Sequence, residues 1–264
     1  MPDLASLRSG PLTVKIADNT KDVIAAQNLR YRAFYEEMDG RPSLSMARAQ
    51  RDFDHFDDYA DHLLIVDTAQ NQSQIVGTYR LLRRAAAARA GGFYSLSEFD
   101  ISALTSQSGK ILELGRSCIA TSHRNGRAIQ LLWQAIAAYI FHYEIDILFG
   151  CASLPGINPN KHRLPLSYLH HFHRAPLCIR SFALPGRLVN MNRIPKDRIS
   201  PRDGMRALPP LVRGYLRLGG FVGDGAVIDE EFRTTDVCVV VKTDQITQKY
   251  HRHYKQRLNQ NGFH

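Results

Sequence analysis

The stretch Glu113-Leu-Gly-Arg-Ser-Cys-Ile-Ala-Thr-Ser-His-Arg-Asn-Gly-Arg-Ala128 decides the fold of this chain. Its first part predicts a strand over residues 110–120 that carries an acid, Glu113, and a base, Arg116. A short turn around Gly126 follows, and the apolar periodicity of residues 128–143 then predicts a helix. A strand, a glycine-containing turn and a helix in this order are typical of an α/β fold.

The turn has the properties of a phosphate-binding site. The first N–H groups of a helix lack partners within the helix and carry a partial positive charge. A glycine allows a ligand to approach the backbone closely, and His123, Arg124 and Arg127 stand beside Gly126. We therefore predict that these four residues bind a phosphate group. The alternative is an ordinary connection with solvated arginines.

The two charges on the strand are spaced three residues apart. On a regular strand, Glu113 and Arg116 would point to opposite faces of the sheet. A β-bulge between them would bring both side chains to one cleft. The alternative is a pair of charges at the edge of the sheet.

A second unusual segment follows the first helix. Asp52, Asp54 and Asp57 alternate with Phe53 and Phe56. The aromatic rings would anchor this loop, while the carboxylates face a cationic substrate or nearby arginines. The alternative is a solvated acidic loop.

Strands and helices alternate along the whole chain in a mixed order, which favours a single α/β domain. Its 264 residues, 44% of them hydrophobic, are sufficient for one large core. We expect residues 1–11 to form a flexible lead and residues 12–258 to form the domain. The predicted strands are 62–67, 74–82, 110–120, 146–151, 222–228 and 235–241, and the predicted helices are 18–38, 128–143, 164–172, 209–218 and 243–258.

Composition excludes several classes of protein. Four scattered cysteines form no disulfide framework or zinc motif, so we assign no metal site and expect a cytoplasmic location. No apolar stretch approaches the roughly 20 residues that a membrane span needs. The net charge of +9 favours an acidic protein or an anionic membrane as partner. Nucleic acid is not expected, because no basic–aromatic motif is present.

Several motifs resemble known acyltransferases. His123-Arg-Asn-Gly126-Arg-Ala128 resembles the GNAT superfamily turn Arg/Gln-x-x-Gly-x-Gly/Ala, with a departure at its first position. The first half of the chain also resembles the acyl-homoserine lactone synthases, which use acyl carrier protein (ACP) thioesters. The shared motifs are Arg30-Tyr-Arg-Ala-Phe34, Asp52-Phe-Asp54-His-Phe-Asp57, Arg80-Leu-Leu82 and Glu113-Leu-Gly-Arg116.

The second half resembles a more specific family, the bacterial ornithine N-acyltransferases. The likeness extends from about residue 12 to residue 255. It is carried by Pro165-Leu-Ser-Tyr-Leu169, Ala183-Leu-Pro-Gly-Arg187, Met191-Asn-Arg193 and Leu208-Pro-Pro-Leu-Val-Arg-Gly-Tyr-Leu-Arg-Leu-Gly-Gly-Phe-Val-Gly-Asp-Gly-Ala226.

This resemblance implies a GNAT-like α/β fold with a mixed, twisted central sheet flanked by helices. It also implies transfer of a 3-hydroxyacyl chain from ACP to the α-amine of L-ornithine, giving lyso-ornithine lipid. No cofactor would be bound permanently, since 4′-phosphopantetheine enters with the donor. Glu113 and Arg116 would be catalytic, with Glu113 as the base. The substrate-binding residues would be Arg30, Phe34, Asp52, Asp54, Asp57 and Arg80, and the phosphopantetheine-binding residues would be His123, Arg124, Gly126 and Arg127.

Two other functions remain open at this point. The chain could acylate another amine, as a homoserine-lactone signal synthase does, or it could be a non-catalytic, membrane-binding "hemolysin-like" protein. Basic residues would allow peripheral contact with the inner face of the cytoplasmic membrane. They are Arg187, Arg193, Lys196, Arg198 and those of the predicted helix at 249–257.

Overall fold

A ten-stranded mixed sheet forms the centre of the computed structural model, which describes residues 2, 4, 6–69, 73–124 and 126–244. Its order is β1-β2-β3-β4-β6-β7-β12-β11-β9, with β10 also paired to β12, and β5 and β8 form a separate pair. The strands are β1 Arg8–Ser9, β2 Leu12–Ile16, β3 Asp61–Asp67, β4 Gln74–Arg83, β5 Phe99–Asp100, β6 Ile111–Ile119, β7 Ile147–Pro155, β8 Phe182–Ala183, β9 Leu188–Val189, β10 Phe221–Val222, β11 Ala226–Asp229 and β12 Thr234–Lys242.

Helices cover both faces of this sheet. The helix starts follow their sequence signals: Asn19 accepts a hydrogen bond from the N–H of Asp22, and Ser43 from that of Met46. The helices are α1 Thr20–Tyr31, α2 Leu44–Ala49, α3 Arg84–Arg89, α4 Ser102–Thr105, α5 Arg127–Tyr143, α6 Arg163–Phe172, α7 Pro201–Ala207 and α8 Pro210–Arg217. A single π-helical turn, Arg32–Glu36, extends α1.

The two faces of the sheet bury separate apolar clusters. On one face, α5 packs Leu131, Ala135 and Tyr139 against alternate residues of the strands, in a cluster that includes Leu114. On the other face, Phe99 and Phe149 belong to a second cluster under α3 and α4. A small third cluster joins Leu29 and Ala33 of α1 to Cys118 of β6. This arrangement places α1 and the acidic loop on one face and the turn that leads into α5 at the end of β6.

Most predicted elements are present, with three differences. The described part of residues 1–11 is packed, because Leu4 and Leu7 are buried and β1 pairs with β2. The predicted strand 222–228 is two short strands, β10 and β11, since Gly223–Gly225 turns between their pairings with β12. The segment after Arg83, for which no helix or strand is predicted, includes the helix α3 with Ala86 and Ala87 buried. The predicted helix 243–258, with its basic residues at 249–257, lies almost entirely outside the described residues.

Within the described ranges, no helix is both long enough and apolar enough to cross a membrane.

Candidate active site

A wedge-shaped opening separates β6 from β7. The two strands pair in parallel only between residues 111–113 and 147–149. Beyond this point β6 stays paired with β4, and β7 stays paired with β12. Gly150 marks the divergence, since a Cβ at this position would lie 2.2 Å from the carbonyl oxygen of Leu114. The facing backbone edges border a cleft, and such an edge can bind an extended ligand through main-chain hydrogen bonds.

A cavity of about 210 Å³ occupies this cleft. Residues 114–117 of β6 and residues 151–153 of β7 form two of its walls. Asp236 of β12 belongs to its lining, and Phe34 and Phe232 supply aromatic surface. The cavity therefore combines two strand edges, one guanidinium, from Arg116, and one acid. It is a partly enclosed, mainly apolar space with a few charged groups, which is the usual character of a small-molecule site.

The bulge that the sequence suggested is present in β6. Thr78 of β4 pairs with Cys118 and Arg80 with Gly115, so Tyr79 faces two residues, Arg116 and Ser117. Arg116 has a positive φ of 52°, which is unusual for a residue with a side chain. The extra residue changes the phase of the strand. As a result the guanidinium of Arg116 reaches the acidic loop, on the face of the sheet where Arg80 also lies.

Three arginines neutralise the acidic loop. Arg30, on α1, has its Nε 2.6 Å from Oδ2 of Asp52 and its Nη2 2.6 Å from Oδ2 of Asp57. Arg80 lies 2.5 Å from Asp54 and 3.0 Å from Asp57. The structure thus brings together six predicted residues, since Arg116 completes the set through Asp52, at 3.2 Å, and Asp54, at 3.0 Å.

This network lies in a dry environment. Arg30 and Asp52 are both fully buried, at 0% exposure. Burial alone would raise the pKa of Asp52, but the charges of Arg116 and Arg30 hold it below the ordinary value. Asp57 behaves in the same way: the charges of Arg30 and Arg80 outweigh burial and lower its pKa. These carboxylates are therefore ionised and matched by protein cations, so their principal role is to fix the arginines.

Glu113 has its carboxylate in a backbone nest. It accepts hydrogen bonds from the N–H of Tyr94 at 2.8 Å, the N–H of Ser95 at 2.7 Å and the hydroxyl of Ser95 at 2.5 Å. Burial raises its pKa despite these donors. Glu113 is absent from the cavity lining, but the ring of Tyr94 lies 4.7 Å from the guanidinium carbon of Arg116. The carboxylate thus holds the turn that places this ring.

Two aromatic residues close the cleft on the side of α1. The π-helical turn directs Phe34 to the cavity, where its ring contacts that of Phe232 edge-on at 5.5 Å. Phe232 also lies 4.6 Å from the guanidinium carbon of Arg116. Tyr35, the next residue, donates its hydroxyl proton towards Asp52 or Glu231, each at 3.0 Å. The predicted residue Phe34 therefore belongs to the cleft itself.

The predicted phosphate turn lies between β6 and α5. Gly126 precedes the helix with a φ of 91° and no side chain caps the first turn. Arg124 donates from Nε to the carbonyl of Ile119 and from Nη2 to Glu37 at 2.6 Å. His123 lies 3.0 Å from a carboxylate oxygen of Asp67. Two of the predicted side chains thus have protein partners here, while the helix start keeps the geometry that favours an anion.

Comparisons with known proteins agree with this architecture. A family model described as an acetyltransferase (GNAT) domain matches residues 29–134. An L-ornithine N(alpha)-acyltransferase of Brucella abortus is 45% identical over 96% of this chain and 92% of its own length. One of Rhizobium meliloti is 44% identical over 94% of this chain and 85% of its own length. The chain belongs to the L-ornithine N(alpha)-acyltransferase family. The domain match and the mixed sheet confirm the predicted GNAT-like fold, and the family membership confirms the predicted resemblance.

A solved structure, that of the acyl-homoserine lactone synthase LasI, is also similar. It superposes with a TM-score of 0.49 at 14% identity, covering 88% of this chain and 90% of that chain.

For this member of the family, the structure adds residues that the motifs did not indicate. Asp236 lines the cavity, and its carboxyl group lies near those of Glu98 and Asp229. Tyr94 contacts the guanidinium of Arg116, and Gly150 opens the cleft. The sequence carried one signal for Asp236: an acid directly before the apolar run 237–241 of β12.

Proposed function

We propose that this chain transfers a 3-hydroxyacyl group from ACP to the α-amine of L-ornithine, giving lyso-ornithine lipid. The observation that carries the proposal is the 45% identity over 96% of the chain to a protein named L-ornithine N(alpha)-acyltransferase. The cleft supports it, because an acyl thioester and an amino acid need neighbouring sites of different character. One is an extended strand edge, and the other is a small charged cavity.

In this proposal the pantetheine arm lies along the separated edges of β6 and β7. Its phosphate rests at the start of α5, on the turn formed by His123, Arg124, Gly126 and Arg127. The thioester carbonyl then faces β6 near Gly115, where main-chain N–H groups can stabilise the oxyanion of the tetrahedral intermediate. The acyl chain follows the arm out of the cleft.

The chemistry is an aminolysis. The unprotonated α-amine attacks the thioester carbonyl and forms the C–N bond. The tetrahedral intermediate loses the amine proton to solvent, the C–S bond breaks, and the thiolate of ACP leaves and takes up a proton. Arg116, fixed by Asp52 and Asp54, binds the carboxylate of ornithine beside the reacting amine. Arg30 and Arg80, with Asp57, keep this assembly rigid.

Direct transfer is favoured over an acyl-enzyme. Cys151 is the thiol that lines the cavity. Burial, together with the charges of Glu98 and Asp236, raises its pKa well above the ordinary value. A thiol that resists ionisation is a poor nucleophile, so we assign the attack to the amine itself.

Within this scheme we propose that Glu113 is a positioning residue. Three donors already occupy its oxygens, and the turn that they define carries Tyr94 against Arg116. The alternative proposal, that Glu113 is the general base, predicts a different pH profile for its amide variant.

The basic surface supports the choice of donor and a peripheral location. ACP carriers are acidic, and a net charge of +9 favours their approach. Among the predicted membrane-facing residues, Lys196 and Arg198 are exposed, and Leu177 and Leu188 add exposed apolar side chains at 70% and 57%. Arg187 instead donates to the carbonyls of Ser97 and Ile228, and Arg193 donates to Asn160. We propose reversible contact of this surface with anionic lipid at the inner face of the cytoplasmic membrane.

Release of free thiol from 3-hydroxyhexadecanoyl-ACP tests the activity. The full chain is assayed with L-ornithine, with L-lysine, with S-adenosylmethionine and without any amine. We expect thiol release only with ornithine, or far faster with it, and an N-acylated product by mass spectrometry. Release with S-adenosylmethionine would indicate a homoserine-lactone synthase. Lipid binding without any thiol release would indicate the non-catalytic alternative.

Two further measurements test the choice of acyl carrier and the contact with membranes. Replacing ACP by coenzyme A as the carrier tests the ACP requirement, with a large drop in kcat/KM expected. Flotation with phosphatidylglycerol vesicles, in low and high salt, tests membrane contact. Binding that persists only in low salt supports the electrostatic contact, and no binding at either salt contradicts it.

A further inference from the structure

A buried group of three carboxyls lies under the cleft, apart from the acidic loop. Glu98 is 1% exposed, Asp229 is 6% exposed and Asp236 is 4% exposed. One oxygen from each lies within 4.8 Å of the others. Glu98 follows the turn that carries Tyr94, whereas Asp229 ends β11 and Asp236 faces Ser153 across β12 and β7. Asp229 and Asp236 lie on the paired strands β11 and β12, and Glu98 joins them from a distant part of the chain, so like charges are brought together.

These carboxyls differ from those of the acidic loop in their partners. Each acid of the loop forms an ion pair with an arginine, but no ion pair within the described ranges involves Glu98, Asp229 or Asp236. Arg187 lowers the pKa of Glu98 and Asp236 through its charge, yet its N–H groups bond to carbonyls. The group is thus deficient in positive charge.

Two of their oxygens also lack hydrogen bonds. Oδ1 of Asp229 accepts from the N–H groups of Glu231 and Phe232. In contrast, Oε2 of Glu98 and Oδ1 of Asp236 have no hydrogen-bond partner in the part of the chain that the structure describes. An unpaired buried carboxylate costs several kcal/mol. In keeping with this cost, burial raises the pKa of Glu98 to about 7 and that of Asp236 to about 6.

The cavity reaches this group at Asp236. Asp236 is in its lining, with Thr234 and Ser153 beside it and Arg116 in another part of the lining. A zwitterionic amino acid with a cationic side chain has a carboxylate for Arg116 and a second, distal cation. The buried carboxyl group offers this distal cation negative charge that no arginine pairs with, and Asp236 brings that group to the cavity lining.

We propose that Asp236 and Glu98 bind the side-chain ammonium of the acyl acceptor and thereby select a diamino acid over an amino acid with a neutral side chain. This inference rests on the proposed function and assigns the site that recognises the acceptor. An alkylammonium donates up to three hydrogen bonds, which match the free oxygens of the two carboxyls and the hydroxyl of Thr234. Asp229, held by two backbone N–H groups, adds negative charge behind them.

The experiment compares L-ornithine with L-norvaline, which has the same carbon chain but no terminal amine. kcat/KM is measured for both acceptors with the wild type, Asp236→Asn, Glu98→Gln and the control Glu230→Gln, an exposed acid of the same region. We expect the wild type and the control to prefer ornithine by about 10- to 100-fold, the value of one or two charged hydrogen bonds. In Asp236→Asn and Glu98→Gln the preference falls to less than about threefold, because kcat/KM decreases much more for ornithine than for norvaline.

Calorimetric binding of the two acceptors, without any acyl donor, separates this inference from the proposed reaction. The wild type could acylate neither acceptor and still bind ornithine more tightly than norvaline. If Asp236→Asn removes that difference in affinity, the result supports the site and refutes the proposed reaction. Equal binding of both acceptors by the wild type overturns the site. So does an equal loss of kcat/KM for both acceptors in the variants. A last experiment titrates Mg²⁺, Ca²⁺ and Zn²⁺ into the chelator-treated protein. Tight metal binding that is lost in Asp236→Asn would overturn the ammonium site in favour of a metal site.

Discussion

Gly150 of β7 lies directly against the carbonyl oxygen of Leu114 in β6, where the two strands start to separate. A Cβ at position 150 would lie 2.2 Å from that oxygen and 3.2 Å from the carbonyl carbon. Both are backbone atoms, so no side chain can move aside to relieve the contact. We expect Gly150→Ala to force the strands apart, to lower the free energy of unfolding by about 1–3 kcal/mol and to reduce kcat by more than tenfold.

Gly186 offers a matched control for this substitution. A Cβ there would meet nothing within 4 Å, so Gly186→Ala should change neither the urea midpoint nor the rate. If Gly150→Ala behaves like Gly186→Ala in both measurements, the separation of β6 and β7 does not depend on this contact.

The pair formed by Arg30 and Asp57 should dominate the stability of the site. Both side chains are buried and lie 2.6 Å apart, and Arg30 also reaches Asp52. Arg30→Ala would leave two buried carboxylates short of a partner, which costs about 3–5 kcal/mol. Arg32→Ala, at an exposed position in the π-helical turn that extends α1, should cost less than about 0.5 kcal/mol. Urea denaturation of the two variants measures the difference. A loss of less than about 1 kcal/mol for Arg30→Ala would contradict the assignment.

The Glu113→Gln variant distinguishes a positioning residue from a base. Oε1 accepts two bonds from Ser95 and Oε2 accepts one from the N–H of Tyr94. An amide cannot accept at both positions, so one buried donor is left unpaired at a cost of about 1–3 kcal/mol. We expect a lower melting temperature and a lower kcat/KM at every pH, with the profile unchanged in shape. Ser95→Ala, which removes only the hydroxyl, should have a smaller effect in the same direction. If Glu113→Gln, but not Ser95→Ala, loses the acidic limb of the pH profile of kcat/KM, Glu113 is instead the base.

The phosphate turn leads to a salt-dependent prediction. Glu37 accepts from Arg124 at 2.6 Å and from Thr121 at 2.8 Å, so it partly neutralises the site. We expect Arg124→Ala to raise the KM for acyl-ACP about five- to tenfold in low salt, with kcat nearly unchanged, and Glu37→Gln to lower it. Both effects should diminish at high ionic strength. Arg202→Ala, an exposed arginine of α7, is the control. If Arg124→Ala leaves the KM for acyl-ACP unchanged, this turn is not part of the donor site.

Local patterns predicted much of this molecule. The strand, turn and helix around Gly126 could be placed because their signals lie within a few residues of one another. The bulge at Arg116 was predictable as a requirement, since two charges three residues apart can share a face only if the strand is irregular. The acidic loop stands out in the sequence, and its pairing with arginines is one of three outcomes that the sequence leaves open.

What escaped prediction depends on contacts between distant segments. Glu98 and Asp236 have ordinary sequence neighbours, and their burial together follows only from the packing of β12 beside β7 and of the turn after α3 beneath both. Leu4 and Leu7 are two isolated leucines, which give no periodic pattern from which their packing could be predicted. They are buried because they pack into the apolar cluster that α5 covers. Gly150 was inconspicuous, because a glycine inside a strand does not reveal which backbone atom approaches it.

The buried carboxyls under the cleft predict how stability changes with pH. Burial and the charge of Asp229 raise the pKa of Asp236 from 3.8 to about 6. Burial and the charges of Asp236 and Asp229 raise the pKa of Glu98 from 4.5 to about 7. The groups that face them are Asp229, Cys151 and Arg187. An acid whose pKa is higher in the folded state binds more protons there, so the folded state loses stability as pH rises from about 4 to about 7.

Asp236→Asn removes this loss. The variant should therefore gain stability relative to the wild type as pH rises through this window, with the largest gain above pH of about 7. Glu98→Gln should show the same trend, displaced to higher pH. The double variant should gain less than the sum of the two, because each substitution also relieves the other carboxyl. Urea midpoints at four pH values, with Glu230→Gln as control, measure the difference curves. Curves that stay flat would mean that the two carboxyls carry no electrostatic strain, and a buried cation partner would then have to be sought.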